Sequence, residues 1–373
     1  MKIAYISLHW PRARTSGVGK KMEQQIHAWQ REGHAVQLFM HMHPPESNEP
    51  LVEAENFVYR VTRGPLGKLR AEIDRARAMQ RLVKAVRRYA PDIIYLRSAM
   101  YTFPAHRLSR IAPVVMEFNT NELSQHEFLG RIYRLYSQVT RGLLIRRSSG
   151  FVSISEEIAA APELARTGCQ SIAIGNSYDV DEARPLPAPG NVVPRLLFVG
   201  SPGNVWHGVE KLAALAERCP DLVIDVVGYD ALDGVSNPPG NMILHGYQTR
   251  EGYLRVLSQA DAAFGSLALH RIGMLEGSTL KSREALAHGI PLILPYRDVD
   301  LDDLDVDWLL KIPNCEDNVL TSIEAIHDFA YRVRGRRADR ERVAQRVGTL
   351  GKERQRLEFF QLVLAEKNHQ RSE

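Results

Sequence analysis

Apolar residues fall along the chain in short runs separated by stretches with helical spacing. Lys2–Ser7 is the first run and residues 36–40 the second; between them residues 22–32 carry Ile26 and Trp29 as apolar anchors and end at Gly33. Residues 92–96, Val114–Phe118, 151–155 and 171–174 repeat the short buried pattern. A second series follows at Arg195–Val199, 222–227, Met242–Leu244, 262–269 and 290–295. Helical stretches lie between the runs: 69–89, ended by Pro91; 132–147, with Ile132, Leu135, Tyr136, Val139 and Leu143 on one face; 209–218; and 279–288, with Gly289 where a helix end favours glycine. Strands alternating with helices predict parallel sheets in doubly wound α/β domains.

Two such series imply two domains, which suits a chain of 373 residues. Pro185, Pro187, Pro189, Gly190 and Pro194 mark the linker. The expected division is 1–182, a linker at 183–194, a second domain at 195–345, and a C-terminal helix at 346–373. Residues 331–364 read as one charged helix, and 297–307 as an exposed acidic segment. The six Asp of that segment do not have EF-hand spacing, and Asp303 and Asp305 lie beyond the last expected strand, so no metal site is assigned. No apolar run approaches the roughly 20 residues of a membrane span. The first residues read as a strand rather than a signal peptide, and three scattered cysteines, Cys169, Cys219 and Cys315, suggest a reducing cytoplasm.

Charge changes this picture in one place. The net charge is only +4, yet residues 60–88 hold ten Lys or Arg against Glu72 and Asp74. A solvated helix face is one reading; an anionic lipid surface or a phosphate-bearing acceptor is another. Nucleic acid is not favoured, because no nucleic-acid-binding module is recognisable.

Candidate chemistry gathers in residues 270–291, HRIGMLEGSTLKSREALAHGIP. Gly277, Ser278 and Thr279 form the turn into a helix, where free N–H groups and the positive helix end make an anion site, and Lys281 adds a charge. Glu276 precedes the turn and Glu284 lies eight residues later. Phosphate on the turn and a diol on a carboxylate together describe a nucleotide sugar. In the first half a glycine-containing loop, residues 9–21 with Gly17, Gly19 and Lys20, follows the first strand without forming G-x-G-x-x-G. Glu117, Asn119 and Asn121 stand at the carboxyl end of another strand, where open α/β sheets place ligands. His126, nearby, reads as a surface helix residue.

Glu276 and Glu284, with Gly277, Leu280, Ala285, His288-Gly289 and Pro291, resemble the E-x(7)-E signature of retaining glycosyltransferases of family 4, which have the GT-B fold. Residues 155–157 and Gly175-Asn176-Ser177-Tyr178-Asp179 resemble further segments of that family, although Ser177 replaces a glycine. The resemblance implies two Rossmann-like doubly wound parallel-sheet domains facing across a cleft. The second would hold a nucleotide-diphosphate sugar, and the first a glycan or lipid-linked acceptor met through Gly17, Gly19 and Lys20. It implies transfer with retention, without metal or other cofactor, the leaving phosphate accepting the acceptor's proton. Glu276 would contact the transferred sugar with Glu117 and Asn119 as further catalytic candidates, and Glu284 would hold the ribose. Donor contacts would come from Gly200, Ser201, Asn204, His207, Lys211, Tyr229, Tyr247, Arg271, Gly277, Ser278, Thr279, Leu280 and Lys281. The chain departs from the family in two places. Ser201, Asn204 and His207 stand where an arginine and a lysine usually face the diphosphate, and the first domain lacks the usual histidine. A GT-B nucleotide-sugar epimerase and a non-catalytic nucleotide-sugar-binding subunit of a glycan assembly complex are the alternatives. The expected place is the cytoplasm, with peripheral contact at an anionic inner membrane face.

Overall fold

The computed structural model describes residues 1–8, 17–42, 54–60, 64, 66–120 and 131–372, without the side chains of Ile132 and of residues 370–372. Residues 9–16, Asn121 and His126 lie outside the described residues. The chain divides into two compact units, Met1–Ile174 with Lys352–Glu373, and Gly175–Gly351.

The first unit holds one sheet of seven strands: β1 (Lys2–Ser7), β2 (Ala35–Met42), β3 (Ala54–Val58), β4 (Ile93–Arg97), β5 (Val114–Phe118), β6 (Gly150–Ser153) and β7 (Ser171–Ala173). Their order is β3-β2-β1-β4-β5-β6-β7, parallel throughout. The second unit holds six: β8 (Arg195–Val199), β9 (Val223–Val227), β10 (Met242–Leu244), β11 (Ala262–Phe264), β12 (Leu292–Leu294) and β13 (Leu309–Lys311). Their order is β10-β9-β8-β11-β12-β13, again all parallel. Strand order reverses at β1/β4 and at β8/β11, the switch points at whose carboxyl ends such sheets bind ligands.

Central strands are covered on both faces and so read as apolar runs. The two strands missing from the sequence reading are edge strands. In β3 only Phe57 is buried, so it forms no apolar run, and the three residues of β13 lie close behind the acidic segment 297–307. Asp303 and Asp305 therefore precede a last strand rather than following it.

Four further expectations are corrected. The first helix spans Gly17–Arg31, so Gly17, Gly19 and Lys20 lie on its first turn and not in a loop. Burial of Gly19, Lys21 and Met22 against the sheet outweighs the cost of a helical glycine, about 1 kcal/mol. The stretch 132–147 forms the helices Arg131–Thr140 and Gly142–Ile145, and its apolar residues do not all face the core: Leu135 is 62% and Val139 70% exposed. The acidic segment is exposed only in part, because Asp298 and Asp300 are buried against Arg283. Last, residues 331–364 are not one helix. Gly335, at φ +67, and Asp339, which caps the Arg342 N–H at 3.1 Å, separate Ile323–Val333 from Arg340–Val347, and Thr349–Ser372 follows.

That final helix contributes Leu357, Phe359, Phe360 and Val363 to the core of the first unit. Trp29 Nε1 donates to Glu353 Oε2 at 2.8 Å, Arg356 Nε donates to the Tyr95 hydroxyl at 2.9 Å, and Phe360 packs edge-on to Trp29. All of these side chains are buried, so the polar contacts satisfy groups that would otherwise be costly to desolvate.

Candidate functional site

In the second unit the loops that follow β8 and β11 flank the switch point. The β8 loop runs from Gly200 through a short turn at Val205–His207 to Gly208, whose φ of +59 favours glycine. It is pinned to the β11 loop by backbone bonds from Leu267 N to His207 O at 2.9 Å and from Ala268 N to Trp206 O at 3.1 Å. Behind it, Gly228 at φ +95 passes so close that a Cβ would lie 2.0 Å from the Gly200 carbonyl oxygen. Tyr229 is buried and its hydroxyl meets Ser201 O at 2.9 Å and His207 Nδ1 at 2.7 Å, so this tyrosine braces the loop. The Ser201 N–H also lies 3.4 Å from His207 Nδ1. Burial and the neighbouring Lys281 push His207 down to about 3, so it is neutral at physiological pH.

The β11 loop leads through Gly277, Ser278 and Thr279 into the helix Leu280–Ala287, which Gly289 ends at φ +84. No side chain caps the helix's first N–H groups, since the Thr279 hydroxyl turns instead to Ser282 at 2.8 Å and Tyr296 at 3.1 Å. Lys281 stands in this first turn. Its Nζ donates to Val199 O at 3.1 Å and lies 4.0 Å from the centre of the Phe198 ring. Among the described residues no carboxylate pairs with it, and burial alone pulls its pKa down to about 7. A half-buried cation at the positive end of a helix, without an anion, is electrostatically unfavourable. An incoming phosphate would relieve it.

Glu284 lies one turn further along the same helix. Its Oε1 is held by Arg250 and, at 3.0 Å, by the Tyr178 hydroxyl, and its Oε2 is 3.3 Å from the Tyr253 hydroxyl. These three partners orient the carboxylate, which remains 18% exposed. Glu276 pairs through its backbone with Arg297, whose guanidinium lies 3.8 Å from the Glu276 carboxylate. Between the two acids, Arg283 is fully buried and donates to Asp298, Asp300 and Ser278 Oγ, and to Asn176 O at 2.7 Å. The Asn176 N–H donates in turn to Ser278 Oγ at 2.7 Å. Residues 176–178 are thus fastened to the helix that carries both Lys281 and Glu284.

Other sequence candidates sit elsewhere. Arg271 is engaged by Glu316 and by Glu210, the latter at 2.7 Å, and Lys211 donates to Cys315 O at 3.0 Å and Leu267 O at 3.3 Å. Both therefore hold the loop frame together. Asn204 donates to Ser201 O at 3.1 Å within its own loop. Tyr247 is 85% exposed at the end of β10. Arg250 and Tyr253 were not singled out from sequence, and Tyr178 only as part of the segment 175–179, because they meet Glu284 only through tertiary contacts.

In the first unit, Glu117 is buried at the carboxyl end of β5, with Lys21 Nζ at 2.7 Å and Arg97 at 3.3 Å; Lys21 also donates to Asn119 Oδ1 at 2.6 Å. Despite burial, these two cations hold the Glu117 carboxyl well below the usual range, while burial draws Lys21 down to about 8. Lys21 and Arg97 were missed from sequence. Lys21 adjoins the expected Lys20 but occupies the inward face of the helix. Among the described residues no group of three or more His, Cys, Asp or Glu is arranged to hold a metal.

This fold has known counterparts. Residues 16–162 match the Glycosyl transferase 4-like domain. Over the whole chain the structure is similar to a sucrose-phosphate synthase from Thermosynechococcus elongatus, at 16% identity and a TM-score of 0.64, covering 98% of this chain and 99% of that one. It is also similar to the HepE protein of Anabaena solved with UDP and glucose, at 17% identity, 97% and 99% coverage and a TM-score of 0.63. A third similar structure is the lipopolysaccharide outer core galactosyltransferase WaaB, at 14% identity, 98% and 100% coverage and a TM-score of 0.65. No curated protein sequence matches the chain. The fold is GT-B, and the matched domain and fold together support a glycosyltransferase.

Proposed function

We propose that this protein transfers a sugar from a nucleotide diphosphate to an acceptor hydroxyl with retention of anomeric configuration, in the synthesis of a polysaccharide or glycoconjugate. The observation that carries this reading is Lys281: half-buried, in the first turn of the helix Leu280–Ala287, on the carbonyl at the end of β8, with no carboxylate paired to it among the described residues. The diphosphate takes the place of that missing anion. The free N–H groups of the helix start donate to its oxygens, with the β8 loop that carries His207 beside them.

Glu284 accepts from the ribose diol. A carboxylate offers about four lone-pair positions and three partners already occupy some of them, so the diol displaces the half-exposed Arg250. Glu276 contacts the transferred sugar. In the reaction the bond from the sugar's anomeric carbon to the diphosphate oxygen breaks, and the bond to the acceptor oxygen forms on the same face. The acceptor's proton passes to the leaving diphosphate, whose charge Lys281 and the helix start stabilise. Glu117 and Asn119, held by Lys21, place the acceptor in the first unit.

The test is donor consumption, followed with and without glycan and lipid-linked acceptors. A transferase consumes donor at an appreciable rate only when acceptor is present. Donor conversion without acceptor would mean an epimerase, and donor binding without any turnover would mean a binding subunit; either result would overturn the proposal.

A further inference from the structure

A cavity of about 660 Å³ opens in the first unit between the start of the helix Gly67–Tyr89 and the helix Arg131–Thr140. Its size is that of a small-molecule site. Among the described residues its wall is mostly apolar and aromatic, with Tyr59, Ala76, Met100, Phe103 and Tyr136 among the lining groups. Tyr59 follows β3 and Met100 follows β4, so the cavity lies at the carboxyl edge of the sheet. Glu117 stands at that same edge, where the Ser98 N–H donates to Glu117 O at 2.8 Å.

Exposed apolar side chains stand at this opening: Leu69, Phe103 and Tyr133 line it and are themselves exposed. Leu135 and Val139 lie one turn apart on the outer side of the helix Arg131–Thr140, and Ile73 lies one turn beyond Leu69 on the other helix. The charged groups in the wall are Lys68, Glu72 and Arg75. Arg75 pairs with Glu72 at 3.4 Å, Arg77 with Asp74 at 3.9 Å and Arg141 with Glu163, so among the described lining residues Lys68 is the cation that no carboxylate neutralises, and it makes the rim basic.

We infer that this cavity takes the apolar chain of an amphiphilic acceptor whose anionic head, a phosphate ester, rests on the basic rim. The acceptor class is thus a lipid phosphate carrying the sugar-accepting hydroxyl. This rests on the transferase reading, since it names the acceptor of that reaction. The chain runs into the groove between the two helices, and the head lies toward the strand ends where Glu117 and Asn119 stand.

Dodecyl phosphate, kept below its micelle concentration, is the probe, titrated by calorimetry against the full chain. Saturable binding of one molecule per protein is expected, with no comparable binding of inorganic phosphate. Ala76→Phe, which fills the cavity, should weaken binding at least 10-fold with its thermal transition preserved. Lys68→Glu should weaken dodecyl phosphate more than neutral dodecyl maltoside. The inference is overturned if the parent shows no saturable 1:1 binding, or if folded Ala76→Phe binds as the parent does. It is equally overturned if the protein binds only phosphatidylglycerol vesicles, through Leu135 and Val139, which would make the face a membrane contact alone. UDP titrated into the same samples reads the donor site separately, so failure of the groove and failure of the transferase reading are told apart.

Discussion

At the scale of single residues, Lys281 joins function to a measurable cost. Its pKa in the free protein is about 7, because of burial. A lysine whose folded pKa is depressed binds fewer protons in the native state than in the unfolded one. Its contribution to stability is therefore unfavourable below about 7 and improves as pH rises toward the ordinary lysine value of about 10.5. Lys281→Met should raise the melting temperature of the ligand-free protein at pH 6.5, and the gain should shrink toward pH 10. Differential scanning calorimetry across that range checks it. Phosphate favours the charged amine, so nucleoside diphosphate affinity should fall as pH rises from 7 to 9 in the parent, with proton uptake on binding, and stay nearly flat in Lys281→Met. Binding heats measured in buffers of different ionisation enthalpy report that uptake. The lysine itself was legible in sequence as a first-turn charge. Its lack of a carboxylate partner was not, since that depends on what the fold brings beside it. Glu284 shows the same limit: its position was legible, but Arg250, Tyr178 and Tyr253 reach it from 34, 106 and 31 residues away.

At the scale of elements, the helix Leu280–Ala287 is the part on which the site depends, and Arg283 fixes it. Removing one partner of a buried ion network strands the others, at about 3–5 kcal/mol. Arg283→Met should destabilise the protein by roughly that amount, because Asp298 and Asp300 would remain buried without their cation. Denaturant unfolding measures it, and the added loss of Asp298 in Arg283→Met/Asp298→Asn should be much smaller than the first. Sequence could not show this. Nothing in sequence singles out Arg283 among the helix's charges, and the acidic run that neutralises it reads as an exposed segment. Central strands were legible because burial on both faces leaves only apolar residues. Of the edge strands, β7 and β10 were legible as short apolar runs, whereas β3 was not, since only its Phe57 is buried, and β13 was not, since it lies close behind an acidic segment. Helix boundaries failed where tertiary burial outweighed local propensity, as at Gly17–Lys20.

At the scale of the whole molecule, the last helix belongs to the first unit while the proposed donor residues belong to the second. Ending the chain at Gly351 removes Phe360, Glu353 and Arg356 from the core around Trp29 and Tyr95. The first unit should then lose its cooperative thermal transition, whereas the transition of the second should still shift upward with nucleoside diphosphate, by mass action. Because the proposed diphosphate site draws its positive charge from Lys281 and a helix start, turnover should survive EDTA; complete loss restored by magnesium or manganese would contradict that. The account as a whole stands on one ligand read by two residues of one helix. Calorimetric titration of nucleoside and nucleoside diphosphate into the parent, Glu284→Gln and Lys281→Met tests it most directly. A charge-assisted contact is worth about 1.5–3 kcal/mol, so each loss should weaken binding roughly 10- to 150-fold. Glu284→Gln should weaken both ligands alike, and Lys281→Met the diphosphate only. If both variants bind both ligands as the parent does, this helix is not the donor site and the account is wrong.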